Sequence, residues 1–388
     1  MEIVEGSYAV AHAVKTCRPH VISAYPITPQ THIVEDLSQF VADGELDAEF
    51  INVESEHTAM SVCLGASATG ARVFSATASQ GLLLMSEVLF NASGMRLPIV
   101  LCNANRSVSA PLSIWNDQQD SFSLRDCGWI QLYVEDCQEA HDAIIQAYKI
   151  AEDREILLPV MVCMDGFTLT HTYEPVDLAE QEEVDDFLPP YEPEFFLNPK
   201  DPKTFGAFAE PDKWTEFRYM QFEAMERSRK KIEEVARDFE RKFGRNYGGL
   251  INEYGNDDAE IVLLTAGSII GTILDVVEGM ENVKILKIRS LRPFPVKEIR
   301  KAVRNAKVVA VLEKAISIGF EGDLLSDVKA CLYNSEYRPP VIGFTLGLAS
   351  RDVPKERISE IVKKAERVIE RGIEKESEWI DLRREFLA

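Results

Sequence analysis

The chain lacks the cysteine patterns that hold metal clusters. It has 388 residues and seven cysteines, and the closest pair, Cys127 and Cys137, is ten residues apart. Iron–sulfur and zinc motifs place cysteines only a few residues apart, so neither kind of site is indicated. His12 and His57 have no second ligand at a recognisable spacing. We therefore expect no metal to be bound by this chain itself.

Positive charge and long apolar runs are also scarce. The formal net charge is −22, whereas nucleic acids and anionic membrane surfaces attract positively charged faces. No apolar run approaches the roughly 18 residues that cross a bilayer, and Met1–Glu5 carries acid where a signal peptide carries base. We expect a cytoplasmic protein with no nucleic-acid or membrane partner.

The order of apolar and polar segments predicts two α/β units joined by an acidic stretch. Residues 1–175 alternate helical segments with continuously apolar runs, which are typical of parallel strands covered on both faces. Residues 176–256 begin acidic and proline-rich, which indicates an extended crossing segment, and then favour a long helix over Trp214–Lys242. A second alternation occupies residues 257–388. We predict a doubly wound parallel sheet and a second α/β domain.

Polar groups follow consecutive predicted strands of the first unit. Tyr25-Pro-Ile-Thr-Pro29 follows the apolar run His20–Tyr25, and its two prolines stiffen the loop. Glu54-Ser-Glu-His57 follows Glu49–Val53, and Thr77-Ala-Ser-Gln-Gly81 follows a further strand. In open α/β sheets, ligands bind outside the carboxyl ends of the strands. These segments therefore indicate one site.

Each of these residues also has a purely structural interpretation. Thr28 could be a turn residue or a helix N-cap, and Glu54 and Glu56 could be acids favoured by a helix dipole. Arg106, after the predicted strand Pro98–Asn103, could be an ordinary surface arginine. As functional groups, the Thr28 hydroxyl could donate to a substrate carboxylate or carbonyl, and Arg106 could hold a carboxylate in bidentate fashion.

Taken in order, the motifs resemble the α subunit of the 2-oxoacid:ferredoxin oxidoreductases, and most nearly that of the pyruvate:ferredoxin oxidoreductases. The segments that carry the resemblance are Tyr25–Pro29, Glu54–His57, Thr77–Gly81, Asn105–Arg106, Ser113–Asp120 and Gly347–Asp352. The resemblance covers nearly the whole chain. It implies the pyrimidine-binding domain of a thiamine diphosphate enzyme in residues 1–175 and a transketolase C-terminal-like domain in residues 257–388.

The resemblance also implies roles for individual residues. Glu56 matches the glutamate that hydrogen-bonds N1′ of the cofactor's aminopyrimidine. Thr28 and Arg106 match residues that hold the carboxylate and carbonyl of the 2-oxoacid. The remaining cofactor-binding residues are the three that precede Thr28: Tyr25, Pro26 and Ile27.

The implied enzyme has parts that this chain does not encode. The chain has no Gly-Asp-Gly followed by Asn, which is the metal–diphosphate motif of thiamine enzymes, and no cluster-binding cysteines. The resemblance therefore implies a β subunit that brings Mg²⁺ and the diphosphate site, and γ and δ subunits that are CoA-related and ferredoxin-like. The [4Fe–4S] clusters would lie on these partners, and ferredoxin would accept the electrons.

The implied reaction is the reversible oxidative decarboxylation of pyruvate with CoA, which yields acetyl-CoA and CO₂ and reduces ferredoxin. Two alternatives stay open at this point. The substrate could be a branched-chain or another 2-oxoacid, because part of the pocket would come from another subunit. The chain could also be a non-catalytic scaffold that holds its partners.

Overall fold

The computed structural model describes residues 1–387. Its strands are β1 (Glu2–Glu5), β2 (Val21–Ala24), β3 (Glu49–Asn52), β4 (Val73–Thr77), β5 (Val100–Asn105), β6 (Ile130–Tyr133), β7 (Val160–Asp165), β8 (Tyr173–Val176), β9 (Ile251–Gly255), β10 (Ile261–Thr265), β11 (Val283–Ile288), β12 (Ser290–Arg292), β13 (Val308–Glu313), β14 (Val341–Thr345) and β15 (Ser377–Trp379).

The helices lie mostly between the strands. They are α1 (Gly6–Thr16), α2 (Thr31–Ala42), α3 (Glu56–Ala68), α4 (Ser79–Leu84), α5 (Ser86–Gly94), α6 (Gln119–Ser123), α7 (Cys137–Ala151), α8 (Gln181–Phe187), α9 (Pro211–Phe243), α10 (Ile269–Val277), α11 (Val296–Ala302), α12 (Asp323–Tyr333) and α13 (Lys355–Arg371). Short 3₁₀ turns occur at Leu348–Ser350 and Arg384–Phe386. None of the helices in residues 1–387 combines the length and apolar character that a bilayer crossing requires.

A seven-stranded sheet forms the first unit, in the order β12-β6-β7-β5-β4-β2-β3. All of its pairings are parallel except that of β12 with β6. Val100 and Cys102 of β5 lie in one apolar core, and Leu101 lies in another. Because successive side chains of a strand point to opposite faces, both faces of this sheet are covered. The predicted doubly wound parallel sheet is confirmed.

A second sheet has the order β15-β14-β13-β10-β11-β9, and within it only β9 runs antiparallel to its neighbour. This confirms the second α/β domain. Buried contacts join the two units. Strand β12, from the second half of the chain, pairs with β6 of the first sheet, and Glu139 of α7 forms buried ion pairs with Lys287 and Arg289. The Nε atom of Arg289 lies 3.0 Å from Glu139 Oε1.

The elements that differ from the sequence prediction are mainly short and peripheral. Strands β1, β8, β9, β12 and β15 are not predicted, because each is short and none has a continuous apolar run. The single helix predicted near Gly81–Gly94 is two helices that meet at Met85. The long helix predicted over Trp214–Lys242 is α9, which starts three residues earlier, with Pro211 in its first turn. The domain boundaries near residues 175 and 256 stay predictions.

Candidate active site at the strand ends of the first sheet

Glu56 and Glu54 lie close together in the sequence but in different environments. Glu56 begins α3 and is only 7% exposed. Glu54 is exposed, and its Oε1 accepts a hydrogen bond of 2.6 Å from the Thr58 hydroxyl, which lowers the pKa of Glu54. Ser55 caps the helix by accepting a bond of 3.2 Å from the Thr58 amide. Glu56 therefore lies in the first turn of α3, as the helix-dipole interpretation expects, and it is also buried, whereas Glu54 precedes the N-cap Ser55 and is exposed.

Gly81 lies directly against Glu56. A Cβ atom built on Gly81 would lie 2.7 Å from Glu56 Oε1 and 2.5 Å from Thr77 Oγ1. Among the described residues, Thr77 Oγ1 and Gln80 Nε2 are buried without a hydrogen-bond partner. Buried polar atoms are normally paired. An unpaired hydroxyl and a buried carboxylate beside one glycine form an environment that a polar ligand would complete.

The loop that precedes α2 is fastened to the centre of the sheet by Gln30. Its Nε2 donates to the carbonyl oxygen of Tyr25 at 2.8 Å and to that of Ala76 at 3.3 Å. Thr28 is exposed, and the N-cap position of α2 belongs to Gln30, so the N-cap interpretation of Thr28 is wrong. The loop therefore presents Tyr25 to Thr28 at the carboxyl ends of β2 and β4.

Arg106 is not a surface arginine, since it is only 6% exposed. Its Nη1 donates to the carbonyl oxygen of Thr28 at 2.9 Å, and its Nε donates to the carbonyl oxygen of Ser113 at 3.0 Å. Burial lowers the pKa of Arg106, although a guanidinium stays charged at neutral pH. The structure thus brings Arg106 and Thr28 together, but through the Thr28 backbone and not through its hydroxyl.

Asp120 organises the same region and is missed by the sequence analysis. It is fully buried, and its carboxylate accepts hydrogen bonds from the amides of Ser79 at 2.9 Å and Arg106 at 3.1 Å. The side-chain amides of Asn105 and Asn103 also donate to it, at 2.7 and 3.2 Å. Burial raises the pKa of Asp120 to about 6. The only sequence signal is the unusually polar loop that contains it.

Asp120 supports a turn in an uncommon conformation. Ser79, at the start of α4, has a φ of +49°, a backbone conformation that residues other than glycine rarely adopt. The Ser79 hydroxyl donates to the carbonyl oxygen of Ser107 at 2.6 Å, in addition to the bond from its amide to Asp120. These contacts link the end of β4, which carries Thr77, to the end of β5, which carries Arg106.

The fold is shared with solved structures of low sequence identity. A 2-oxoglutarate:ferredoxin oxidoreductase from Magnetococcus marinus superposes with a TM-score of 0.72 at 21% identity, over 94% of this chain and 65% of that one. A split-gene transketolase superposes with a TM-score of 0.55 at 14% identity, over 94% of this chain and 98% of that one. At these identities the likeness concerns the fold alone.

Sequence comparison is more specific. A pyruvate synthase subunit PorA from Methanosarcina barkeri is 59% identical over 100% of this chain and 98% of its own length. The subunit of the same name from Methanothermobacter thermautotrophicus is 51% identical over 99% of both chains. A ketoisovalerate oxidoreductase subunit VorA from Pyrococcus abyssi is 44% identical over 99% of this chain and 98% of its own length.

Two family descriptions match the two halves of the chain. Residues 12–237 match "Pyruvate flavodoxin/ferredoxin oxidoreductase, thiamine diP-bdg", and residues 259–358 match "Pyruvate:ferredoxin oxidoreductase core domain II". The first match contains Thr28, Glu56, Gly81 and Arg106 in one domain. With its full-length relatives, this shows that the chain belongs to the pyruvate flavodoxin/ferredoxin oxidoreductase family.

Proposed function

We propose that this chain is the α-type subunit of a pyruvate:ferredoxin oxidoreductase. The enzyme converts pyruvate and CoA to acetyl-CoA and CO₂ and passes the electrons to ferredoxin, in a reversible reaction. Relatives named pyruvate synthase subunit PorA match the chain over its full length at up to 59% identity. The observation that carries the proposal is the buried Glu56 carboxylate that faces the side-chain-free surface of Gly81 within the thiamine diphosphate-binding domain.

The residues at this point fit an aminopyrimidine ring. Glu56 is a buried acceptor, and the missing side chain of Gly81 lets its carboxylate lie directly against the backbone of α4. Thr77 Oγ1, which lies beside the same glycine, is a further unpaired polar atom. When bound, thiamine diphosphate supplies the electron sink that allows a 2-oxoacid to lose CO₂.

In this proposal Glu56 holds the proton on ring nitrogen N1′ of the aminopyrimidine. A carboxylate that accepts a hydrogen bond in a buried site binds more strongly than one in water. Since Glu54 points to solvent and Glu56 is buried, only Glu56 has this environment. Tyr25, Pro26 and Ile27 line the cofactor from the loop that Gln30 fastens to the sheet.

Arg106 and Thr28 hold the substrate in this proposal. A guanidinium has five N–H donors, and Arg106 uses two of them on the carbonyl oxygens of Thr28 and Ser113. The other donors can grip a carboxylate, and the exposed Thr28 hydroxyl lies on the same loop. Because the carboxylate must leave as CO₂, Arg106 contributes more to the orientation of the substrate than to its ground-state affinity.

The site is half of the complete active site in this proposal. A β subunit brings Mg²⁺ and the diphosphate site, and γ and δ subunits bring the [4Fe–4S] clusters and the contact with ferredoxin. The loop around Ser113 exposes apolar side chains that a partner subunit would cover. Leu112 and Trp115, on either side of Ser113, are 74% and 49% exposed. Apolar side chains grouped beside a site are typical of protein interfaces.

The test compares Glu56→Gln with Glu54→Gln in the assembled enzyme. The two variants remove the same charge two residues apart, but only Glu56 is buried against Gly81. Pyruvate-dependent reduction of ferredoxin should fall by about 10²-fold or more in Glu56→Gln, and it should stay near wild type in Glu54→Gln. A Glu56→Gln enzyme within a few-fold of wild type would overturn the assignment.

A branched-chain 2-oxoacid is the second candidate substrate, because relatives named ketoisovalerate oxidoreductase subunit VorA are 43% and 44% identical to the chain. The ratio of kcat/KM for pyruvate to that for 2-oxoisovalerate decides between the two. A scaffold without catalytic function would differ from both, since thiamine diphosphate would be absent from the assembled complex or would lie far from Glu56.

A further inference from the structure

Two histidines and a glutamate meet outside the site described above. Glu5 ends β1, His32 lies in the first turn of α2, and His171 lies between β7 and β8. Each offers a ligand atom, and these atoms all lie within 4.8 Å of one another. The His32 Nδ1 atom is 2.9 Å from Glu5 Oε1, and the rings of His32 and His171 are 4.6 Å apart between centroids.

We propose that Glu5, His32 and His171 form a binding site for a divalent transition-metal ion of the zinc class. Two imidazoles and a carboxylate are the ligands that Zn²⁺ prefers, whereas Mg²⁺ and Ca²⁺ favour oxygen alone. All three residues are partly buried. The sequence does not indicate the site, because its members are far apart along the chain.

The surroundings of His171 support a ligand role. Its Nδ1 atom lies 2.7 Å from Thr170 Oγ1, which also accepts a hydrogen bond of 2.8 Å from the amide of Phe167. The contact between Nδ1 and the Thr170 hydroxyl orients the imidazole and leaves Nε2 as the coordinating atom, as is usual for metal-binding histidines.

The site would stabilise a weak part of the fold. Strand β1 pairs only with β8 in the described sheets, and a two-stranded sheet is marginal by itself. A metal ion bound to Glu5, His32 and His171 would join β1, α2 and the segment that leads into β8. The His32–Glu5 contact can also exist as a plain ion pair, so the decisive measurement is metal binding itself.

The test is a titration of the full chain, expressed without partner subunits, with Zn²⁺ against a chromophoric chelator. Wild type should take up one equivalent of Zn²⁺, and His32→Gln and His171→Gln should each bind at least 10-fold more weakly. His20→Gln is the matched control, since His20 is exposed and precedes β2 at the opposite end of that strand from the loop before α2. Unchanged binding by the His32 and His171 variants, or no uptake by wild type, would overturn the proposal.

A second variant distinguishes loss of the metal ligand from loss of folding. His171→Cys keeps a zinc ligand, so it should retain one equivalent of Zn²⁺ and, with Co²⁺, show a thiolate-to-metal absorption band that wild type lacks. Zn²⁺ should raise the thermal midpoint of wild type and His171→Cys but not that of His171→Gln. An absent thiolate band in a His171→Cys chain with native circular dichroism would refute the site. None of these measurements depends on enzyme activity, so a negative result would exclude the metal site without excluding the proposed function.

Discussion

The Nη1 atom of Arg106 donates a hydrogen bond of 2.9 Å to the carbonyl oxygen of Thr28, 78 residues earlier in the chain. The same guanidinium reaches the carbonyl oxygen of Ser113 through Nε at 3.0 Å. One side chain therefore joins two loops at the mouth of the site. A planar fork of five donors can do this and still face a carboxylate, whereas the three donors of an ammonium all diverge from one nitrogen.

Arg106→Lys should therefore lower kcat/KM for pyruvate by about 10²-fold, since a misplaced substrate loses rate as well as affinity. Steady-state kinetics of the assembled enzyme measure this effect. Arg18→Lys is the control, because the Arg18 side chain is 61% exposed and pairs with Asp185 on the surface. Kinetics of Arg106→Lys within twofold of wild type would exclude the proposed role.

Gly81→Ala should separate cofactor binding from folding. The new Cβ would lie 2.7 Å from Glu56 Oε1, so Glu56 must move and the affinity for thiamine diphosphate should fall at least 10-fold. Alanine is the better helix former by about 1 kcal/mol, so a general loss of helix stability does not account for the effect. Cofactor titration of the assembled apoenzyme measures the affinity.

Gly65→Ala is the matched control for that substitution. Gly65 lies inside α3, and a Cβ built on it meets no atom within 4 Å. The variant should bind thiamine diphosphate like wild type and should be slightly more stable. If both alanine variants, or neither, weakened cofactor binding, the contact between Gly81 and Glu56 would not be the cause.

Glu313 should make stability depend on pH. Burial raises the pKa of Glu313 to about 8, and its Oε2 accepts a hydrogen bond of 2.9 Å from the amide of Leu324. The folded chain binds the proton more tightly than the unfolded chain, so this group lowers the free energy of unfolding as pH rises from about 4.5 to about 8. The free energy of unfolding changes through this group by at most about 1.4 kcal/mol per pH unit.

Glu313→Gln should remove that contribution. Urea unfolding at pH 6 and pH 8 should show a smaller loss of stability in the variant than in wild type. Glu374→Gln, at an exposed carboxylate, should keep the wild-type difference. Equal pH dependence in wild type and Glu313→Gln would contradict the prediction.

Lys314→Met should weaken the contact between the two units. Lys314 Nζ lies 2.8 Å from Asp165 Oδ2. Asp165 is buried at the end of β7, and its Oδ1 also accepts a hydrogen bond of 3.0 Å from Gln118 Nε2. Removal of one member of a buried ion pair costs about 3–5 kcal/mol. Lys307→Met breaks the exposed pair with Glu260 and should cost about 1 kcal/mol or less. Urea unfolding compares the two variants, and equal costs would contradict the prediction.

Much of the fold and part of the site follow from local patterns. The apolar runs that become β4, β5 and β7 are buried throughout, and continuous burial leaves a continuous apolar signal in the sequence. Arg106 is predicted as a candidate because it follows such a run, whereas Glu56 follows β3, an edge strand that is mostly exposed. The strand β12 is not predicted, because a short edge strand that pairs with a distant partner carries no periodicity of its own.

The sequence by itself determined the order of the buried strands and of the main helices, the absence of cluster-binding cysteines, and the polar residues that follow those strands. Only the tertiary structure decided which of those residues are buried and what they contact. Glu54 faces solvent and Glu56 faces Gly81, and Asp120 holds Ser79 and Arg106 in place. The physical reason is that burial and hydrogen bonding are set by contacts between residues far apart in the chain, which spacing along the chain does not record.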